Sequence, residues 1–378
     1  MAQIDVLIPA YNAEGTIRES LESILGQTIR DIRIVVVNDG STDSTGAVLD
    51  EMAGQDDRIL VVHQTNGGIV DALNSGLDHC YSDFIARHDA DDIAFPNRFD
   101  RELDYLRGHP DCIAVSAKAH IIDTNGTRTG MVTDHGDPQS ANPGSIPPHE
   151  PHLMHPFLMI RRSAIEEVGR YRHVFHAEDA DLYWRLQLLG GLVNLPDILG
   201  EYRIHTASVT SKSILNGRVN AINSQLAAIS ELRRRAKTPD IVFDKSLLLA
   251  YHKARSLQGM VEVASTLLTD LERHRLELGA VLKLFEMALY RPYKLELNDC
   301  VYGRKVIARN RGQPSEVRKQ MDLLSIYISA MLMRRGEFSL VGAVTPIYVY
   351  PKIALHLIRA KLIRLLEARE RRAALKER

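Results

Sequence analysis

The segment IRIVVVNDGSTD (residues 32–43) decides the fold, because a continuous β-branched run is followed at once by polar turn residues. Such a run is typical of a strand that is buried on both faces of a parallel sheet. Similar apolar runs occur at residues 5–9, 58–63 and 83–88, and helical spacings fill the segments between them. This alternation predicts an α/β domain whose ligands bind beyond the carboxyl ends of its strands.

The pattern changes along the remainder of the chain. A further strand is predicted at residues 113–122, and a loop at residues 123–155 is long enough to suggest a functional role. Beyond about residue 211 the sequence becomes helical. The predicted later helices cover residues 165–168, 179–189, 216–235, 245–272, 277–289 and 316–335, and an extended segment is predicted at residues 201–205.

The charge of the chain is divided between its two parts. The net charge of the 378 residues is −1, but residues 1–210 hold 16 Lys and Arg against 32 Asp and Glu, while residues 211–378 hold 31 against 16. This balance excludes a uniformly basic nucleic-acid binder. Three scattered cysteines exclude a disulfide framework and favour a reducing compartment. The sequence predicts neither a signal peptide nor a membrane-spanning helix, and therefore a cytoplasmic protein.

Polar motifs follow the predicted strands in a fixed order: PAYN (9–12), NDGSTD (38–43), DADD (89–92), EDAD (178–181) and YRIH (202–205). In this order and spacing the sequence resembles the family 2 inverting glycosyltransferases over roughly residues 4–210. The stretch SILGQT (23–28) is also typical of that family. The resemblance implies a GT-A fold, a Rossmann-like nucleotide-diphospho-sugar transferase domain. We therefore expect a catalytic domain at residues 1–210 and a mostly helical region at 211–378.

The Asp-x-Asp pattern of Asp89 and Asp91 suggests a metal site. Two carboxylates at a strand end can hold a hard divalent cation that bridges diphosphate oxygens, and oxygen-only ligation favours Mg²⁺ or Mn²⁺. The resemblance implies that Asp91 is a direct ligand, that Asp89 contacts ribose or metal, and that His205 is a further metal ligand. It also places Ala90 beside the nucleotide sugar. The alternative is a plain acidic turn.

The resemblance also assigns the nucleotide pocket. It gives Asp39 to the base, and a carboxylate can accept a hydrogen bond from uracil N3–H, which cytosine lacks; this indicates a UDP-sugar. Pro9, Ala10 and Tyr11 are expected on the opposite side of the base pocket, and Glu14 at the base or ribose. The alternative for Asp39 is a cap of the following helix.

A second part of the donor site is expected around residues 66–76. Asn66, Gly67 and Asn74 match a family pattern along the uridine, although Leu73 stands where the family often has Arg. Arg203 is predicted to contact the diphosphate. The alternative for the glycine is an ordinary strand-to-helix turn.

The catalytic base is expected in the Glu178–Asp179 pair. The resemblance assigns the base to Asp179, which would take the proton of an acceptor hydroxyl, and leaves Glu178 to orient acceptor or donor. Asp181 is the alternative base, and an acidic first helical turn is the structural alternative. Trp184 is expected in the core.

Three histidines lie in the long loop, and their spacing of three could suggest a metal site. Because His149, His152 and His155 stand among prolines, we instead expect this loop to shape the acceptor site.

The end of the chain combines apolar and basic segments. Residues 323–333 and 338–351 are uncharged, and residues 346–378 hold nine Lys and Arg against three Glu. A basic amphipathic helix from Leu355 is predicted to bind the inner face of the plasma membrane as a peripheral contact. The alternatives are a homodimer contact or packing on the catalytic domain.

Together these motifs predict a metal-dependent inverting transfer of a sugar, hexosyl or N-acetylhexosaminyl, from a UDP-sugar to a glycan or lipid-linked acceptor in lipopolysaccharide or exopolysaccharide synthesis. One alternative is a nucleotide-sugar-binding regulatory or assembly protein without turnover. A nucleotidyltransferase is disfavoured, because residues 10–16 contain no Gly-rich basic loop.

Overall fold

A computed structural model describes residues 2–204, 213–291 and 294–354 of the chain. The described residues form two compact units. Unit 1 is drawn from residues 1–144, 148–208 and 226–245, and unit 2 from residues 145–147, 209–225 and 246–378.

Unit 1 is built on one mixed sheet of nine described strands. The strands are β1 Ile4–Ala10, β2 Ile32–Asp39, β3 Ile59–Gln64, β4 Phe84–Arg87, β5 Ile93–Ala94, β6 Cys112–Ile122, β7 Arg128–Val132, β8 Met159–Arg161 and β9 Gly191–Arg203. Their order is β3-β2-β1-β4-β8-β6-β9-β5, with β7 beside β6. The first four strands are parallel, as predicted. The sheet becomes mixed at β8, which is antiparallel to both β4 and β6.

Helices cover the sheet, and their apolar residues form two separate core clusters. Alternate residues of β1 point to opposite faces, so that Val6 belongs to one cluster and Leu7 to the other. The helices that precede the second unit are α1 Ile17–Leu25, α2 Thr45–Ala53, α3 Ile69–Leu77, α4 Arg98–Gly108, α5 Arg162–Glu167 and α6 Glu178–Leu186. Because the polar motifs stand where β1, β2 and β4 end, this three-layer packing brings them to one edge of the sheet.

Buried side chains of the core stabilise the fold that forms this edge of the sheet. Leu21 of α1 and Phe99 of α4 are fully buried in the first cluster, and Leu73 of α3 is fully buried in the second. Truncation of such a side chain to alanine costs about 2–5 kcal/mol of unfolding free energy.

The later helices are α7 Ile214–Arg235, α8 Lys245–Ala254, α9 Leu257–Ser265, α10 Asp270–Tyr290, α11 Leu297–Arg309, α12 Ser315–Arg334 and α13 Phe338–Val344. The predicted helix over 245–272 is wrong, because it is interrupted twice. Arg255 adopts a positive φ of 57° and Ser256 caps α9 by accepting a hydrogen bond from Gly259 N. Thr269 then starts α10 with a capping box to Glu272. No helix in the described part of the chain has the length and apolarity needed to cross a membrane.

Candidate active site

The loop after β1 and the loop after β2 are joined by hydrogen bonds. Asn12 has a φ of 50°; its main-chain N–H donates to Ser41 Oγ at 3.0 Å, and its Oδ1 accepts from Thr42 N at 2.8 Å. Glu14 Oε2 accepts from Ser44 N at 2.8 Å. These bonds hold loop 11–16 against loop 40–44, so that the two loops form one wall.

Asp39 organises the next loop along the edge. Its Oδ1 accepts hydrogen bonds from Gln64 Nε2 and Gly67 N, both at 2.8 Å, and its Oδ2 accepts from Gly68 N at 2.9 Å. Asp39 is 3% exposed. It therefore does not cap α2, as the alternative prediction had it, but holds the turn that begins α3.

A glycine is required where these loops meet. Gly40 has a φ of +68°, and a Cβ there would lie 2.6 Å from Asn66 N. A side chain at this position would force the residue 66–68 turn away from Asp39. The Asn-Asp-Gly sequence at 38–40 thus serves the backbone as well as any ligand.

The remaining predicted base-pocket residues differ in accessibility. Pro9 and Ala10 are buried, whereas Tyr11 is 52% exposed and Asn66 and Gly67 are exposed. Tyr11 and the residue 66–67 turn therefore present atoms to a ligand at this edge. The nucleotide contacts of all five residues stay a prediction.

An acidic loop (residues 88–92) follows β4. Carboxylate oxygens of Asp89, Asp91 and Asp92 lie within 4.8 Å of one another, and the described residues contain no other such group of three His, Cys, Asp or Glu. Asp92 Oδ2 is buried and has no hydrogen-bond partner. Burial, and then the charges of Asp89 and Asp91, raise the pKa of Asp92 well above its usual value. Three clustered oxygen donors with an unpartnered buried atom fit a hard divalent cation. Ala90 packs in the core below them.

Arg203 forms several hydrogen bonds with the acidic loop. Its main-chain N–H donates to Asp92 Oδ1 at 2.8 Å and its Nε donates to Asp91 O at 2.9 Å. Its Nη2 pairs with Glu19 at 2.8 Å, and its side chain is 4% exposed. Arg203 is therefore a support of the acidic loop, and its contact with the diphosphate stays a prediction.

A second buried support lies on the other side of the loop. His88 is completely buried; its Nδ1 lies 3.1 Å from Arg98 Nη1 and its Nε2 lies 3.1 Å from Asp92 O. Arg98 donates to Nδ1, so the proton of the neutral ring is assigned to Nε2, which donates to the carbonyl. Burial lowers the pKa of His88 well below its usual value. The loop is thus fixed by two arginines that the sequence did not single out as supports.

The Glu178–Asp179 pair opens α6. Both residues are partly exposed, but Glu178 Oε2 is shielded from solvent and has no hydrogen-bond partner. Asp179 Oδ1 accepts from Ala180 N at 2.7 Å. Burial and then the charge of Asp179 raise the pKa of Glu178 to about 8, and burial also raises the pKa of Asp179. The pKa of Glu178, at about 8, keeps this side chain largely protonated at neutral pH.

Asp181 cannot serve as the alternative base. It is fully buried and forms ion pairs with Arg172 and with Arg185, the latter at 2.8 Å. Burial acts to raise the pKa of Asp181, but the two arginines outweigh it and the pKa is lowered. Asp181 is therefore a structural ion-pair partner. Trp184 is fully buried, as predicted for a core residue.

Asn74 is also occupied within the protein. Its Nδ2 donates to Tyr171 O at 2.9 Å, and its Oδ1 accepts from Tyr171 N at 3.1 Å. The side chain thus joins α3 to residue 171, and its contact with the uridine stays a prediction. The predicted metal ligand His205 lies outside the described residues.

The long loop supplies polar groups to the same region. His155 Nε2 lies 2.8 Å from Tyr171 Oη, and His152 pairs with Glu150 at 3.0 Å. The charges of His152 and Glu150 act on the pKa of Asp179, so this part of the loop lies near the Glu178–Asp179 pair. His149 lies apart, with its Nδ1 3.1 Å from Ser140 O. The three histidines do not form a metal cluster among the described residues.

Comparison with known proteins supplies the family. The model of glycosyl transferase family 2 matches residues 5–169. The protein EpsE of Bacillus subtilis (strain 168) is 30% identical over 281 residues, which cover 69% of this chain and 98% of the relative. The amylovoran biosynthesis glycosyltransferase AmsE of Erwinia amylovora is 31% identical over 217 residues, covering 55% and 78% respectively.

A solved structure of S. aureus TarS residues 1–349 in complex with UDP-GlcNAc superposes with a TM-score of 0.48 at 17% identity, over 89% of this chain and 92% of that one. The predicted GT-A class of α/β domain and the helical region that follows are confirmed. The match with EpsE extends over most of both chains, and the family model covers the acidic loop and its strands. The chain therefore belongs to glycosyl transferase family 2.

Proposed function

We propose that this protein transfers a sugar from a UDP-sugar to a hydroxyl of a glycan or lipid-linked acceptor with inversion at the anomeric carbon. One observation carries the proposal: unit 1 contains both three clustered carboxylates and the Glu178–Asp179 pair, and the charge of one arginine, Arg87, acts on both groups. A protein that only bound a nucleotide sugar would not need the Glu178–Asp179 pair.

Asp179 is the proposed base. Its carboxylate takes the proton of the acceptor hydroxyl while that oxygen attacks the anomeric carbon, and the bond from that carbon to the diphosphate breaks in the same displacement. Glu178, protonated at neutral pH, can donate a hydrogen bond to donor or acceptor. Inversion follows because a single displacement places the new bond on the opposite face of the sugar.

The acidic loop is the proposed metal site. Asp91 and Asp89, with Asp92 beside them, would hold Mg²⁺ or Mn²⁺, and the cation would neutralise charge on the departing nucleoside diphosphate. Arg203 holds the Asp92 carboxylate and His88 holds the Asp92 carbonyl, so both residues fix the acidic loop. The two loops joined through Asn12 and Ser41, with Asp39, would enclose the uridine.

The acceptor is proposed to be a growing lipopolysaccharide or exopolysaccharide. The name of the relative AmsE refers to amylovoran biosynthesis, in keeping with a polysaccharide product. The basic, apolar end of the chain supports a peripheral location on the inner face of the plasma membrane, where a lipid-linked acceptor would be reached. The amphipathic helix predicted from Leu355 lies outside the described residues.

A donor screen tests the activity. Purified protein is incubated with UDP-glucose, UDP-galactose, UDP-GlcNAc and GDP-mannose, each with Mg²⁺, Mn²⁺ or EDTA, and UDP or GDP release is measured with and without a lipid-linked acceptor. We expect one UDP-sugar to be used, only with metal, and NMR of the product to show the inverted anomer. Retention of configuration, or full activity in EDTA, would contradict the proposal.

Flotation with liposomes tests the location. The full chain is compared with a chain that ends at residue 345, on vesicles with and without anionic lipid. We expect the full chain to float with anionic vesicles and the truncated chain to remain at the bottom. Equal flotation of both would overturn the membrane contact, and a loss of dimer in size-exclusion chromatography on truncation would favour the oligomer alternative.

A further inference from the structure

Arg87, the last residue of β4, is an unusual buried cation. It is 5% exposed, and its Nη2 lies 2.5 Å from Asp89 Oδ1. Its Nε and Nη1 are buried and have no hydrogen-bond partner. Each buried donor without a partner destabilises the folded protein, so that a purely structural role leaves this destabilisation unexplained.

The main chain of Arg87 is held from both sides. Its N–H donates to Leu158 O at 2.8 Å, and its carbonyl accepts from Arg98 Nη2 at 2.8 Å. The strand therefore fixes where the guanidinium begins. Arg87 precedes the acidic loop directly, so its position is set by the same β4 residues that place Asp89 and Asp91.

The charge of Arg87 reaches a second group of acids. It lowers the pKa of Glu178 and of Asp179, against the larger opposite effect of burial on each. It also lowers the pKa of Tyr171, whose hydroxyl pairs with His155. Glu178 Oε2, like two of the arginine nitrogens, is buried without a partner. The geometry of Arg87 therefore points to the acidic loop, where it forms a direct ion pair with Asp89.

We propose that Arg87 is the built-in counter-cation of the acidic loop and a positioning residue for transfer, which orients Asp89. This proposal rests on the proposed function, because it assigns Arg87 to that same site. Before metal binds, the guanidinium neutralises part of the repulsion among the three aspartates. If Asp89 holds a metal ion, Arg87 would oppose that ion electrostatically while it orients the carboxylate.

This double role predicts two effects of opposite direction. In Arg87→Met the positive charge next to Asp89 is gone, so Mn²⁺ binding in the absence of donor should tighten by about three- to tenfold. Transfer should nevertheless slow, with kcat lowered about 100-fold and the KM for donor changed less than threefold, because Asp89 is no longer oriented. A general loss of structure would weaken Mn²⁺ binding and activity together.

The experiment measures Mn²⁺ affinity by electron paramagnetic resonance of free Mn²⁺, steady-state transfer and the melting temperature for the full chain. The matched control is Arg161→Met, which removes an arginine from the neighbouring strand β8. Arg161 donates to Cys112 O and Leu106 O and stands opposite Phe84, at the amino end of β4. We expect that control to lower the melting temperature without changing Mn²⁺ affinity or kcat more than twofold.

If Arg87→Met does not fold, Arg87→Lys tests the proposal in its place. Lysine keeps the charge but loses the planar fork, so Mn²⁺ affinity should stay within twofold of wild type while kcat falls about tenfold. A folded Arg87→Met that keeps kcat within threefold, or that binds Mn²⁺ more weakly, would overturn the proposal, as would an Arg87→Lys with wild-type kcat. A wild-type protein that neither binds Mn²⁺ nor transfers sugar would overturn the proposed function itself.

Discussion

The loops after β1 and β2 and the acidic loop after β4 occupy the same edge of the sheet, but they satisfy their polar groups differently. Asn12, Glu14 and Asp39 each have protein partners at 2.8–3.0 Å. Around the acidic loop and α6, by contrast, polar atoms of Arg87, Asp92 and Glu178 are buried without partners. The first region is complete without ligand, whereas the second retains polar groups that a cation, a sugar or water would satisfy.

This difference indicates that the first region serves nucleotide binding and the second serves the chemical step. A wall whose hydrogen bonds are already made costs little to organise when a nucleotide arrives, which favours affinity. Unsatisfied buried charges destabilise the free protein but are ready to act on charge that develops during reaction. We therefore expect changes in the first region to affect donor KM and changes in the second to affect kcat.

The largest effect is expected at the base. Asp179→Asn removes the proton acceptor but keeps the shape, so kcat should fall about 10²–10⁴-fold while binding of UDP changes less than threefold. The measurements are steady-state transfer and calorimetric titration with UDP. Asp197→Asn, on β9, is the control and should retain wild-type rates. Loss of UDP binding in Asp179→Asn would show that the second region also serves affinity.

A smaller effect of the opposite kind is expected at Asp39. Asp39→Ala leaves the N–H groups of Gly67 and Gly68 without their acceptor, at about 1–3 kcal/mol each, and loosens the turn. Donor KM should rise about ten- to 100-fold with kcat within threefold. Asp50→Ala, which removes an exposed aspartate of α2, is the control. A fall in kcat with unchanged KM would break the comparison.

The smallest effect is on stability. The pKa of Glu178 is raised to about 8, above the usual 4.5, so its contribution favours the folded state most below about pH 4.5 and is lost as the pH rises towards 8. Glu178→Gln lacks this ionisation. Between pH 5 and pH 8 the unfolding free energy of wild type should therefore fall by at least about 1 kcal/mol relative to Glu178→Gln, measured by urea denaturation.

The control for this measurement is Glu51→Gln, an exposed residue of α2. Its unfolding free energy should follow that of wild type over the same pH range. Parallel curves for wild type and Glu178→Gln would mean that Glu178 ionises in the folded protein as an exposed glutamate does.

Much of the first region could be predicted from sequence. The runs that become β1, β2 and β3 are apolar and local, and the motifs after them mark the loops directly. β9 was recognised only at its end, because its 13 residues alternate irregularly and gain their strand structure by pairing with β6, far away in sequence. Helix α11 was missed for a related reason, since its apolar face is interrupted by Asp299, which is buried against Arg218.

The supports of the site were harder to predict than its acids. Arg203 was assigned to the diphosphate because it lies in a motif, and only the folded chain shows that its donors are used by Asp91 and Glu19. Arg87 stands two residues before Asp89 and carries no sequence signal of its own. The breaks at Ser256 and Thr269 do carry a sequence signal, which the predicted helix over 245–272 leaves out of account, because Ser and Thr are favoured N-cap residues.

The bonds between loop 11–16 and loop 40–44 have a consequence for engineering. Asn12 is hydrogen-bonded to Ser41 and Thr42, and Glu14 is hydrogen-bonded to Ser44. Each loop therefore supplies one partner of every one of these bonds. A graft that replaces one loop with that of another transferase would leave the other half unmatched. A chimera intended to accept a different nucleotide should therefore exchange both loops as a single cassette, together with the glycine at position 40.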